Sequence, residues 1–97
     1  MMRFAEEGAP GYVDRNAEHE LQLTLFQESG DVARQLKPGQ KVRIAAAGVD
    51  RKPNSAPITG VIAAAKMAGN LGKISLTLDG ESATFRPGGL ARLWTAP

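Results

Sequence analysis

Eight cations in the later part of the chain, Lys41, Arg43, Arg51, Lys52, Lys66, Lys73, Arg86 and Arg92, have the most to offer chemically. Lys and Arg side chains bind phosphate oxygens by charge and hydrogen bonding. Such contacts hold nucleic acid in a salt-sensitive, sequence-tolerant way. The same cations would also serve as a scattered, solubilising surface unless folding gathers them onto one face. Their distribution along the chain favours a polyanionic partner: residues 1–31 carry seven acidic residues against two basic ones, whereas residues 32–97 carry ten basic against three acidic. The formal net charge of +2 conceals this division.

Other chemistry is thinly provided. There is no cysteine, so disulfides and thiolate metal sites are excluded, and His19 is the only histidine. That histidine lies between Glu18 and Glu20, where a solvated surface role is expected. Ser29, Ser55, Ser75 and Ser82 lack the context of a nucleophile elbow. Gly69-Asn70-Leu71-Gly72 lacks the Lys-Ser/Thr ending of a phosphate-binding loop and reads as a plain turn. No enzyme and no cofactor are expected. The aromatic residues are Phe4, Tyr12, Phe26, Phe85 and Trp94, and of these Phe26, Phe85 and Trp94 are expected in the core, not as stacking platforms for bases.

The elements that must position these cations are short strands joined by Gly/Pro turns. Residues 1–19 show no sustained periodicity and are expected to be an acidic, partly flexible arm, with a single small domain over 20–97. Leu21, Leu23 and Leu25 alternate with polar residues, which favours a strand over 20–26. Asn16 as a cap, with Leu21 and Leu25 four apart, keeps a helix open there. Asp31–Leu36 is expected to form one helical turn capped by Asp31, leading to a Pro38-Gly39 turn. Lys41–Ile44 alternates as a strand with Val42 and Ile44 inward, and 47–57 reads as a long exposed loop. Further strands are expected over Ile58–Ala65 and Lys73–Leu78, then a tight Asp79-Gly80 hairpin into Glu81–Phe85, and a closing strand over Leu90–Trp94.

One phrase occurs twice. Leu36 to Ile44 can be laid over Phe85 to Leu93 as apolar, basic, Pro, Gly, three variable residues, Arg, apolar. Either both copies solve the same problem, a tight turn into a strand, or they present Lys37, Arg43, Arg86 and Arg92 to one anionic partner. Two copies alone do not establish a repeat architecture.

The order of turns and strands from Leu36 to Trp94 resembles the SH3-like small β-barrels of bacterial proteins, a likeness of turn spacing without a diagnostic motif. It implies an all-β, SH3-like small barrel of about five short strands with the acidic arm in front. No functional residue is carried over from that family. The N-terminus meets Glu6 and Glu7 before any apolar run develops, so no secretory signal is expected and the cytoplasm is the default location. The expected function is a non-catalytic module contacting nucleic acid through a basic face, accessory to a larger system. The alternative is a protein-interaction or assembly module, self-association included, docking through a sheet edge. No membrane contact is expected.

Overall fold

A computed structural model of the chain describes residues 8–79 and 85–95. Alternating apolar residues set the walls. Leu21, Leu23 and Leu25 point inward from β2 (Glu20–Leu25), Val42 and Ile44 from β3 (Lys41–Ala47), and Ile74, Leu76 and Leu78 from β5 (Leu71–Leu78). With β1 (Ala9–Ala17), β4 (Ile58–Ala68) and β6 (Leu90–Thr95) they form a closed antiparallel barrel, in the order β1-β2-β5-β4-β3-β6 and back to β1. The all-β small-barrel expectation holds, with six strands among the described residues where about five were expected.

The expected arm is corrected. Residues 9–17 are a full member of the barrel, paired to β2 on one side and β6 on the other. Periodicity failed there because the inward positions of β1 are filled by Ala9, Gly11 and Val13, and because a bulge at Asp14 breaks the alternation. The domain therefore begins earlier than residue 20. Residues 20–25 are strand, which settles the choice against a helix.

Between β2 and β3 the chain makes a 3-10 turn (Gln27–Ser29) and the short helix α1 (Gly30–Gln35). Asp31 is not the cap: Ser29 occupies that position without a side-chain bond, and Asp31 instead pairs with Arg34 at 3.3 Å inside the first turn. Val32, Ala33 and Leu36 carry α1 onto the core, so tightly that a Cβ on Gly72 would lie 2.4 Å from that of Ala33. Phe85 is buried near the opposite end, where its carbonyl accepts a 2.7 Å bond from Asn16 Nδ2.

The turns follow their glycines. Gly39 and Gly88 both take positive φ (88° and 83°) after Pro38 and Pro87. The β4–β5 hairpin turns on Gly69-Asn70 alone, between the paired Ala68 and Leu71, so β4 runs three residues beyond its expected end. The loop between β3 and β4 is tied down: Asn54 N donates to the Ala46 carbonyl at 2.9 Å and Ser55 Oγ accepts from Ala46 N at 3.0 Å. The expected hairpin through Gly80 into Glu81–Phe85 lies mostly outside the described residues.

Closure bears on the docking alternative. Each strand has a hydrogen-bonded neighbour on both sides, but β4 meets β3 only over Ile58–Val61, so among the described residues Ala64–Ala68 pairs with β5 alone and is the stretch where the docking alternative would apply.

Candidate nucleic-acid interface

The two Pro-Gly phrases deliver the chain into β3 and β6, which are antiparallel neighbours. Ile44 and Leu93 face each other and point inward, so the residues beside them point out. Arg43 stands directly across from Trp94, and Arg92 directly across from Ala45, which makes the two arginines diagonal neighbours on the outer surface. Antiparallel pairing sends the turns themselves to opposite ends of this seam. Lys37 and Arg86, exposed in those turns, are thereby kept apart.

A chain of contacts spreads from the seam. The Trp94 indole lies against Gly8, where a Cβ would come within 2.7 Å of its ring. Arg92 donates from Nε to the Arg51 carbonyl at 2.6 Å and from Nη1 to the Gly8 carbonyl at 2.7 Å. Arg51, at a φ of 65°, places its guanidinium 4.7 Å from the centre of the Phe26 ring and 2.6 Å from Glu28 Oε1. Phe26 in turn lies 5.9 Å from Tyr12, ring centre to ring centre. Lys41 is exposed two residues before Arg43 on the same outer face of β3, and Lys52 is exposed next to Arg51. Lys41, Arg43, Arg51, Lys52 and Arg92 therefore share one wall with Tyr12, Phe26 and Trp94.

Lys66, Lys73 and Arg86 do not join them. Lys66 and Lys73 face each other on the β4–β5 hairpin, beside the β2–β5 seam. Going around the barrel, that seam is diametrically opposite β3–β6. Lys73 Nζ donates to Thr24 Oγ1 at 2.7 Å, the Thr24 hydroxyl donates to Asp14 Oδ2 at 2.6 Å, and Lys73 and Asp14 lie 3.9 Å apart. Asp14, Lys66 and Lys73 line a groove of about 670 Å³ together with Gln22 and Ser75. The eight cations thus fall into separate groups, and acids from the first part of the chain, Asp14 and Glu28, are interleaved with two of them.

The aromatic expectation also needs correction. Phe85 is core, but Phe26 and Trp94 are only half-buried and belong to the basic wall. Sequence reasoning missed them because hydrophobicity alone does not say whether an aromatic ring lies inside a barrel or flat on it. Their neighbours in sequence, Leu25 and Leu93, fill the inward positions, and strand alternation then turns Trp94 outward.

Other candidate chemistry resolves into structure. Ser29 Oγ meets the Pro10 carbonyl at 3.4 Å, and the His19 carbonyl accepts from Leu78 N at 2.7 Å while the residue itself sits exposed in the β1–β2 turn. Among the described residues no group of three or more His, Cys, Asp or Glu could hold a metal ion, and no helix is long and apolar enough to cross a membrane. Comparison of the chain with protein-family models, curated proteins and solved structures gives no match.

Proposed function

We propose that this barrel is a non-catalytic module of the cytoplasm that holds nucleic acid through phosphate contacts on the β3–β6 wall, as an accessory to a larger system. The observation that carries the reading is the cross-strand pair Arg43–Trp94 with Arg92 diagonal to it. A cation beside a half-exposed indole offers a phosphate contact and a base-stacking surface within one residue's reach. Arg51, stacked over Phe26 and paired with Glu28, adds a cation at the edge of the same wall and covers one face of that ring. The binding face is narrower than the full set of eight cations: Lys41, Arg43, Arg51, Lys52 and Arg92.

The test is fluorescence anisotropy with mixed-sequence oligonucleotides, single-stranded and duplex. Three or four phosphate contacts should weaken binding between 50 and 200 mM salt roughly 40- to 150-fold for the duplex and about 20- to 50-fold for the single strand. Lys41→Glu/Arg43→Glu should lower affinity at least about tenfold. Lys66→Glu/Lys73→Glu, on the opposite wall, should leave it nearly unchanged. Absent or salt-independent binding, or loss only with the second pair, overturns the proposal.

A further inference from the structure

The twice-used phrase is the visible part of a larger duplication. Laying β1 on β4, β2 on β5 and β3 on β6 superposes the pairing of the whole barrel. Ala9↔Leu93, Pro10↔Arg92 and Gly11↔Ala91 in one ladder answer to Ile58↔Ile44, Thr59↔Arg43 and Gly60↔Val42 in another. Both hairpins carry a register shift at the same place, between Val13 and Arg15 and between Ile62 and Ala64.

Bonds outside the ladders also match. Val13 N donates to Gly89 O (2.9 Å) and accepts at its carbonyl from Gly88 N (2.7 Å), while Ile62 N donates to Gln40 O (2.9 Å) and accepts from Gly39 N (2.8 Å). Phe26 N bonds Pro10 O and Asp79 N bonds Thr59 O, both at 3.0 Å. Gly11 lies against the Thr24 carbonyl and Leu25, and Gly60 against the Thr77 carbonyl and Leu78. Once the halves are aligned by structure, Leu23-Thr24-Leu25 falls on Leu76-Thr77-Leu78.

The relation is a pseudo-two-fold axis crossing the barrel. It passes where equivalent residues meet, between Ile44 and Leu93 on one seam and between Gln22 and Ser75 on the other. Within each half only one ladder is internal, β1–β2 or β4–β5. The remaining four, β1–β6, β2–β5, β3–β4 and β3–β6, join one half to the other. Among the described residues β3 pairs with no strand of its own half, and neither does β6.

We propose that the chain is two copies of one three-strand unit fused in tandem, and that the partner its architecture accepts is a second copy of itself, with halves exchanged between molecules through residues 48–57. Every ladder would survive such an exchange, because the surface each half offers is the one its counterpart in any other copy is built to fill. What keeps the single chain closed is the linker. Its short span gives the two halves a high effective concentration, and Arg51 pins it to Phe26, Glu28 and Arg92.

The test uses two full-length variants, Leu21→Asp/Leu23→Asp with a ruined first half and Leu76→Asp/Leu78→Asp with a ruined second. Each alone should be unfolded. Refolded together at high concentration, they should recover about half of the native Trp94 fluorescence signal in a species of twice the monomer mass, since one barrel of each exchanged pair is built from two intact halves. A mixture that stays the sum of its unfolded parts overturns the proposal. A second arm deletes residues 48–57, joining Ala47 directly to Ile58, whose ladder partner is Ile44, so that the chain can turn back only by giving up the pairing of Ala45–Ala47 with β6: a dimer by light scattering supports exchange, and a folded monomer refutes it. Should the shortened chain not fold, the complementation result decides.

Discussion

A methyl group placed on Gly11 would sit 2.5 Å from the carbonyl oxygen of Thr24 on the neighbouring strand. The atom in the way is backbone held in the β1–β2 ladder, so it cannot step aside as a side chain could. Gly60 occupies the matching place in β4, where a Cβ would meet Leu76 Cδ1 at 2.9 Å and the Thr77 carbonyl at 3.0 Å. Both Gly→Ala changes should destabilise the barrel, by about 1–3 kcal/mol, with Gly11→Ala the more severe. Urea unfolding of the two variants side by side checks the order.

Gly39→Ala and Gly88→Ala should cost about the same, roughly 1 kcal/mol each. Both positions have positive φ, and at neither does a Cβ meet anything within 4 Å, so the penalty is conformational alone. Unequal costs, measured by the same unfolding curves, would show that the two turns are not equivalent.

Phe85 is among the largest fully buried side chains, and it fills the core near the end opposite α1. Phe85→Ala should lower stability by about 3–5 kcal/mol through lost burial and the cavity left behind. Phe85→Leu should recover most of that. A loss under about 1 kcal/mol would mean that the ring does not hold the place described here.

Thr24 is buried although it points away from the core, because Asp14 and Lys73 close over its hydroxyl. Thr24→Val keeps the shape and removes both hydrogen bonds. The two charged groups remain partly exposed and can take up water instead, so the cost should be about 1 kcal/mol, measured by denaturation. Asp14→Ala in the Thr24→Val background should then add little, and a large further loss would mean that Asp14 acts independently of Thr24.

Much of the barrel is legible in the residue pattern alone. β2, β3 and β5 are legible because one face of each is apolar and the other polar, β6 because it follows a Pro-Gly turn, and the turns at Pro38-Gly39 and Pro87-Gly88 because only glycine takes their left-handed φ without penalty. β1 is not, because Ala9 and Gly11 fill inward positions without hydrophobic bulk and the bulge at Asp14 shifts the phase. The duplication was half seen. Its third strand repeats in sequence as Leu36 to Ile44 and Phe85 to Leu93, but the match of Leu23-Thr24-Leu25 with Leu76-Thr77-Leu78 falls at a different spacing, because the β4–β5 hairpin runs on past Lys66 and Lys73, the equivalents of Ala17 and Glu20, before it turns.

For the candidate site the division is sharper. The residues themselves determine that cations dominate after residue 31, that Arg43 faces outward beside Val42 and Ile44, and that neither cysteine nor a histidine cluster supplies metal chemistry. Which cations keep company was decided by strand order. Arg43 and Arg92 meet because β3 and β6 are neighbours, and Lys73 is drawn to Asp14 because β5 lies beside β2. Side-chain alternation depends on adjacent residues and can be read locally. The partner a strand chooses depends on how six of them close into a ring, and residues far apart in the chain enter that choice only when the barrel forms.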